Sequence, residues 1–145
     1  MTLTALVLIP LIGGVLAWAF ERAGGHIPRV VALATLIVEF VLALALWPVN
    51  PMEVTGSGTR WIYETQAQWI PQFGISFHLG MDGLSYLLIL LTAFLGLMAI
   101  GSSWKEITER TGFYYFNLLW ILGGIAGIFL ALDLFLFYFF WELML

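Results

Sequence analysis

The sequence predicts an all-α membrane protein, a polytopic bundle of transmembrane helices. Hydrophobic residues make up 62% of the 145 residues and charged residues 10%, whereas soluble domains contain roughly 45–50% apolar and about 25% charged residues. A soluble chain of this length could not bury so much apolar surface in one core. In addition, several apolar stretches approach or exceed the roughly 20 residues that a helix needs to cross a bilayer. We therefore expect a single membrane domain over residues 1–145.

The apolar stretches place five helices along the chain, at about 2–20, 29–47, 83–104, 112–132 and 134–145. The first stretch could also be a secretory signal peptide, but the basic n-region that such peptides carry is missing. A helix that stops within hydrocarbon would leave its last carbonyl groups without partners. We therefore expect the 145 residues to be a fragment of a longer chain, with the fifth helix truncated.

The basic residues predict the orientation of these helices. Arg22 and Arg29 flank the first connection, and Lys105 and Arg110 lie in the third, whereas the long 48–81 segment has Arg60 as its only Lys or Arg. Connections rich in Lys and Arg favour the cytoplasmic side of a membrane. The N-terminus is thus predicted to lie outside.

The 48–81 segment is predicted to be more than a linker. Apolar residues at 75, 77, 79 and 81 alternate with Ser, His and Gly, which is typical of a strand. Pro and Gly residues punctuate the earlier part as turns. We expect an outer loop with a small β-hairpin lying on the outer face.

Glu142 is the predicted proton-carrying residue. If the fifth helix begins after Asp133, a rise of about 1.5 Å per residue puts Glu142 roughly 13–14 Å deep, near the middle of the hydrocarbon core. A carboxylate at that depth is neutral, pairs with a cation or faces water. The aromatic residues at 135 and 137–141 are expected to form an apolar collar around it. The alternative is a Glu that hydrogen-bonds a neighbouring helix and never changes its charge.

Glu39 is a second acid predicted near mid-membrane, about ten residues after Arg29. No partner for its carboxyl is visible within one helical turn. It could carry protons, it could be a protonated side chain at a helix contact, or its helix could be tilted or shifted outward.

Four other charged or titratable residues have simpler interpretations. Asp82 and Asp133 each precede an apolar helix, where a carboxylate acts as an N-cap. His78 is interpreted as a loop histidine with a hydrogen-bond partner, and otherwise as a proton-exit group. Lys105 belongs to the 105–110 stretch, where helical ion pairs at the cytoplasmic rim are expected and proton entry is the alternative.

Small residues predict close helix contacts. Gly123 and Gly127 have the spacing that lets helices approach in lipid. Pro10, Gly13 and Gly14 indicate a bent or tightly packed first helix.

Several classes of function are excluded by absences in the sequence. The chain has no cysteine, which excludes disulfides, zinc-thiolate sites, iron–sulfur clusters and thioether-bound haem. It has neither a dinucleotide-binding fingerprint nor a P-loop, so direct binding of NADH or ATP is not expected. The net charge of −4 has no basic patch suited to nucleic acid. We expect no cofactor and no metal in this chain.

Four runs of residues are similar to a known protein family, and they lie at 69–85, 103–107, 117–124 and 133–145. They resemble chain M of respiratory NADH–quinone oxidoreductase (complex I), an antiporter-like, proton-translocating subunit. The most specific parts are the Asp82-Gly83-Leu84-Ser85 helix start and the Phe139-Phe140-Trp141-Glu142 run. The match covers nearly all of the sequence.

The resemblance implies an antiporter-like fold built from two inverted repeats with broken helices, of which this chain would be the N-terminal part. It implies that Glu142 pairs with a lysine on the seventh helix and is essential for pumping. Flavin, iron–sulfur clusters and quinone would be bound by partner subunits, and the partners would be the other membrane-arm subunits in a bacterial inner (plasma) membrane. Glu39 has no counterpart in the family motif.

Two alternative functions remain open. The first is a subunit of an Mrp-type sodium/proton antiporter, which shares the fold and the fifth-helix glutamate. The second is a non-pumping structural fragment. The Asp-Gly-Leu-Ser start and the Ser103-Trp104-Lys105-Glu106 loop favour complex I.

Overall fold

The computed structural model describes residues 2–24, 26–47 and 61–145. In these ranges it has five α-helices and a two-stranded sheet. The elements in chain order are α1 (Thr2–Ala19), α2 (His26–Ala45), β1 (Tyr63–Ile70), β2 (Ile75–Met81), α3 (Gly83–Ser103), α4 (Thr111–Leu130) and α5 (Leu134–Met144). A 3₁₀-helix, Phe20–Ala23, joins α1 to α2. The predicted turns before residue 61 lie outside the described residues.

Four of the helices, α1 to α4, have the length and hydropathy needed to cross a membrane. The helix α5 is apolar but shorter. The predicted fold class, a transmembrane helical bundle, is confirmed.

Some helix ends differ from the predicted bounds by one to three residues. The helix α2 begins at His26 rather than 29, because Pro28 fits the first helical turn, where its missing N–H costs no hydrogen bond. The helix α4 ends at Leu130 rather than 132. Beyond it the backbone N–H of Leu132 donates to the carbonyl of His78, at 2.9 Å, and so leaves the helical pattern.

The buried side chains form two hydrophobic clusters at opposite ends of the bundle. We call the one that includes strand β2 the hairpin-end cluster, and the one beside the basic connections the loop-end cluster. The hairpin-end cluster has the buried residues Leu3, Leu6, Val7, Ala43, Leu46, Leu79, Met81, Tyr86, Ile89, Leu130, Leu136 and Phe140. The loop-end cluster has Ala17, Ala32, Leu36, Ile100, Tyr115, Leu119 and Leu122.

The strands β1 and β2 form an antiparallel hairpin whose register pairs Tyr63 with Met81 and Gln68 with Ser76. Gly74 closes the turn between them in the left-handed conformation (φ 67°), which suits glycine. The hairpin is fixed to the bundle by a bridge between Leu79 and Ala131. It therefore covers the corner where α4 passes into α5.

Glycines provide the close contacts between helices, as predicted. A β-carbon on Gly127 would overlap the Phe140 ring of α5, and one on Gly123 would meet Leu11 and Pro10 of α1. The helix α4 thus packs closely against α1 and α5. A β-carbon on Gly13 would likewise collide with the Thr35 side chain of α2.

The two basic connections lie together. The Arg29 Nη2 donates a 2.6 Å hydrogen bond to the carbonyl of Ile107, which links the first connection to the third. The hairpin is attached at the other end of α4, so the basic connections and the hairpin lie at opposite ends of the bundle.

Candidate functional site

Glu142 lies on the side of α5 that faces away from the bundle. Leu136 and Phe140 are the buried residues of α5, and they pack in the hairpin-end cluster. Glu142 follows Phe140 by two positions, which turns its side chain by about 200° around the helix. Its side chain is accordingly exposed in the described chain.

The aromatic residues predicted to form a collar around Glu142 are exposed in the described chain, so the collar stays a prediction. Phe135, Phe137, Tyr138, Phe139 and Trp141 are all between 36% and 59% exposed. The helix α5 packs mainly on α4 and β2, and the Trp69 ring of β1 lies 6.0 Å from Phe135 and 5.9 Å from Phe139. The rest of the α5 surface is uncovered in the described chain. The remaining aromatic residues and Glu142 share an open apolar surface.

Tyr138 is a neighbour of Glu142 that was not predicted. Its hydroxyl lies close enough to the Glu142 carboxyl group to interact with it electrostatically. The two residues are four positions apart, a spacing that places side chains one above the other on a helix. That spacing could have identified the pair from the sequence.

Asp133 caps α5 and holds the hairpin. Its Oδ1 accepts hydrogen bonds from the backbone N–H groups of Phe135 (2.8 Å) and Leu136 (3.3 Å). Its Oδ2 accepts from the backbone N–H of Ser76 (3.3 Å) and from the Ser76 hydroxyl (3.4 Å). The Ser76 backbone N–H is the main cause that holds the pKa of Asp133 below its usual value, with smaller contributions from Leu136 and Phe135. Asp133 thus caps the start of α5 and connects it to the hairpin.

Asp82 and His78 also have partners. The Asp82 Oδ1 accepts a 2.7 Å hydrogen bond from the backbone N–H of Ser85 and caps α3. The His78 Nε2 lies 2.6 Å from the Glu64 Oε1 across the hairpin. Glu64 could not be identified from the sequence, because its position diagonally across from His78, whose register partner is Gln66, depends on the strand register.

Lys105 is exposed and makes no ion pair within the described ranges. The predicted helical ion pairs over residues 105–110 are therefore wrong. The helix α3 ends at Ser103 and α4 begins at Thr111, so the stretch between them is not helical and its charged residues are not stacked one turn apart. Arg110 has a left-handed backbone (φ 49°) just before α4.

Glu39 is almost completely buried, with 1% of its side chain exposed. Its Oε2 has no hydrogen-bond partner among the described residues. Because α2 begins at His26, Glu39 lies about 20 Å from that end and about 9 Å from Ala45. It therefore lies about 5 Å from the middle of the helix, on the side of the hairpin end.

These candidate residues do not form one site. No hydrogen bond or ion pair in residues 2–24, 26–47 and 61–145 joins Glu142, Glu39, His78, Lys105 and Asp133 to one another. The same ranges contain no group of three or more His, Asp and Glu side chains that could hold a metal ion. In the part of the chain that the structure describes, Glu39 of α2 and Glu142 of α5 are the two acidic side chains that lie within α-helices.

The chain is similar over its whole length to known membrane subunits. It is 50% identical over 147 residues to NADH-quinone oxidoreductase subunit M of Escherichia coli (strain K12). It is 46% identical over 148 residues to the subunit M of Pseudomonas aeruginosa (strain PAO1). Each match covers 100% of this chain and 29% of the relative. The chain therefore spans less than a third of the length of these curated relatives.

A more distant relative is the chloroplastic NAD(P)H-quinone oxidoreductase chain 4 of Angiopteris evecta, 34% identical over 141 residues, 97% of this chain and 28% of the relative. No protein-family model matches the chain. The predicted resemblance to complex I chain M is confirmed by these relatives.

Two solved structures have the same fold. One is the membrane-bound sulfane sulfur reductase, an archaeal respiratory membrane complex, with a TM-score of 0.77 and 24% identity over 99% of this chain and 21% of that chain. The other is the Mrp complex from Dietzia sp. DQ12-45-1b, with a TM-score of 0.78 and 20% identity over 99% of this chain and 15% of that chain.

Proposed function

We propose that this chain, as a relative of NADH-quinone oxidoreductase subunit M, acts in a proton-translocating membrane-arm subunit of a respiratory NADH-quinone oxidoreductase. The observation that carries the proposal is the 46–50% identity to bacterial subunit M proteins over the whole chain. The whole protein would couple quinone reduction to proton pumping, with the other membrane-arm subunits and the lipid bilayer as its partners.

Glu142 is the proposed proton relay. Its carboxyl would alternate between a pairing with a lysine outside these 145 residues and a proton-loaded neutral form. Its position on the open side of α5 supports this role, because a cationic group from another helix can approach it there without displacing the packing of Phe140. The exposed aromatic residues beside Glu142 would then be covered by that helix, and water would be excluded from the pair.

The Tyr138 hydroxyl beside Glu142 supports the same role. A hydroxyl can donate to the ionised carboxylate and can also accept from the protonated acid. Tyr138 would therefore keep a partner for Glu142 in both protonation states.

We further propose that the redox chemistry takes place elsewhere in the complex. Flavin, iron–sulfur clusters and quinone would be held by partner subunits, and this chain would bind neither NADH nor a redox cofactor. The sequence supports this, since it has no cysteine and no dinucleotide-binding fingerprint.

The proposed location is a bacterial inner membrane, with the N-terminus outside. The hydrogen bond from Arg29 to Ile107 supports this, because it puts the two basic connections at one end of the bundle. Basic connections favour the cytoplasmic side.

The second candidate function is a subunit of an Mrp-type sodium/proton antiporter, which the fold of the Dietzia complex favours. The two functions differ in what drives proton movement. The third candidate is a structural piece that pumps nothing.

The test is proton movement in sealed vesicles that contain the purified complex with this chain, in sodium-free buffer. Under our proposal NADH-driven quinone reduction produces proton uptake without sodium, and an uncoupler abolishes the uptake. Proton movement that requires a sodium gradient and ignores quinone would instead establish the antiporter. Quinone reduction with no proton uptake would favour the structural role.

A further inference from the structure

Strand β1 contacts α5 through Trp69, to which the proposed function gives no role. The Trp69 ring centroid lies 6.0 Å from that of Phe135 and 5.9 Å from that of Phe139, in an edge-to-face arrangement. These separations are typical of aromatic rings in contact. We call Trp69, Phe135 and Phe139 the aromatic cap. The hairpin is held against α5 beside the cap, because Asp133 Oδ2 accepts hydrogen bonds from Ser76.

Trp69 is the extra residue of a β-bulge. Its neighbours Gln68 and Ile70 pair with Ser76 and Ile75, which are consecutive residues of β2, so Trp69 is left out of the register. A bulge interrupts the alternation of side chains along a strand and re-aims one of them, and bulges are over-represented next to functional sites. The bulge thus lies at the point where β1 presents Trp69 to α5.

The aromatic cap lies on the face of α5 that carries Glu142. With 3.6 residues per turn, Phe135 lies about 20° and Phe139 about 60° from Glu142 around the helix axis. Along the axis, Phe139 is about 4.5 Å and Phe135 about 10 Å nearer the start of α5, which is the end attached to the hairpin. Trp69 packs on both phenylalanines, so it covers part of this face between Glu142 and the hairpin.

The Glu142 side chain extends toward the aromatic cap. Side chains on a helix tilt toward its N-terminus, and the N-terminus of α5 is at the hairpin end. The closeness of the Glu142 carboxyl to the hydroxyl of Tyr138, one turn nearer the hairpin, agrees with this direction. The carboxyl is therefore directed at the part of α5 that the cap covers.

The aromatic cap is connected to the interior of the bundle. Phe139 contacts Phe140 with ring centroids 5.5 Å apart, and Phe140 fills the space beside Gly127 of α4. Rings in contact thus run from Trp69 on the hairpin to the core of the bundle. Phenyl rings offer water no strong hydrogen-bond partner, so water moving along this line from the hairpin end toward Glu142 meets an apolar obstacle.

We propose that Trp69 is a positioning residue for the Glu142 proton relay: it holds the aromatic cap between the carboxyl and the hairpin side, so that Glu142 does not exchange protons directly with water on that side. The inference rests on the proton-relay role proposed above, since such a cover matters beside a group that changes its charge. On the flank of this face opposite Phe139, Tyr138 is 59% exposed. A lysine-bearing helix can approach Glu142 on that flank.

The test is chemical modification of Glu142 in the full-length chain within its assembled complex, reconstituted in vesicles whose outer surface is the hairpin side. The reagent is a carbodiimide with a quaternary ammonium group, which reacts with carboxyl groups and does not cross the membrane. Mass spectrometry of the peptide that contains Glu142 measures the rate. Trp69→Ala should be modified at least several-fold faster than the wild type, and Trp69→Phe, which keeps an aromatic ring, should restore the slow rate.

Two further variants make the test specific. Trp47→Ala is the matched control, since Trp47 is also an exposed tryptophan at the hairpin end with an edge-to-face contact at 5.9 Å, but its partner is Tyr86 of α3. It should keep the slow rate. Phe135→Ala opens the cap from α5 and should be modified as fast as Trp69→Ala, which decides the matter even if the Trp69→Ala complex does not assemble.

Two results would overturn the proposal. One is a wild-type rate of Glu142 modification in the cap variants, and the other is an equal acceleration in Trp47→Ala. The labelling requires neither NADH nor quinone, so its outcome is independent of pumping. Normal pumping by Glu142→Gln would reject the relay itself, whereas unchanged labelling in the cap variants would reject the role of Trp69 alone.

Discussion

The Phe140 ring of α5 lies where a β-carbon on Gly127 of α4 would stand. This contact fixes the rotation of α5, because Phe140 and Leu136 are its buried residues. It thereby determines that Glu142 faces away from α4.

Gly127→Ala should therefore destabilise the bundle and disturb Glu142. Overpacking of a tight contact typically costs about 1–3 kcal/mol, and the only relief is movement of α5. We expect a lower thermal-unfolding midpoint of the purified complex together with reduced proton pumping. Gly101→Ala is the control, since a β-carbon there meets nothing within 4 Å. If both variants unfold like the wild type, Gly127 does not set the position of α5.

Lowering the pH should weaken the hydrogen bonds by which Asp133 joins the start of α5 to the hairpin, and so destabilise the protein. The pKa of Asp133 is lowered in the folded state, mainly by the Ser76 backbone N–H, so the charged form is favoured by folding. This stabilisation is fully present above the ordinary aspartate value of 3.8 and is lost as the pH falls below it, through the folded-state pKa. Thermal unfolding followed from neutral to acidic pH measures the effect.

Asp133→Asn should keep most of the helix cap, because Asn is about as good an N-cap as Asp. It should, however, lose this part of the acid sensitivity. Asp133→Ala should destabilise the protein at neutral pH as well, by about 1 kcal/mol. An Asn variant with the same acid profile as the wild type would show that the Asp133 charge is unimportant.

The fold class could be predicted from the sequence because charged side chains are costly in lipid. Helices that cross a membrane are therefore visible as long apolar stretches. The positions of Asp82 and Asp133 before such runs likewise indicated helix caps. The face of α5 that packs could not be predicted, because apolar and aromatic residues surround that helix and give no periodic pattern. The partner of His78 could not be found either, since it depends on which residues of β1 and β2 pair, and the sequence of β1 does not specify that register.

The link between the basic connections should contribute measurably to stability. Arg29→Ala removes a hydrogen bond from a charged group to the Ile107 carbonyl, an interaction worth about 1.5–3 kcal/mol. Arg22→Ala is the control, because Arg22 is exposed and makes no hydrogen bond or ion pair in the described chain. Denaturation of both variants measures the difference, and equal stabilities would show that the Arg29 contact contributes little.

The proposed orientation can be tested by labelling, which is helped by the absence of cysteine from the chain. Gln66→Cys lies in the exposed hairpin and Thr108→Cys in the exposed third connection. A membrane-impermeant thiol reagent added to intact cells whose outer membrane is permeable should label Cys at 66 and spare Cys at 108. The reverse pattern would place the N-terminus in the cytoplasm.

The central claim, that Glu142 carries protons in redox-driven pumping, is tested most directly by Glu142→Gln in the intact complex reconstituted in vesicles, with quinone reduction and proton uptake followed together. Glu109→Gln, which changes an exposed carboxyl in the third connection, is the matched control. We predict that Glu142→Gln abolishes or sharply reduces both activities while Glu109→Gln retains them. Wild-type levels of both activities in Glu142→Gln would show that Glu142 is a packing residue and contradict the account.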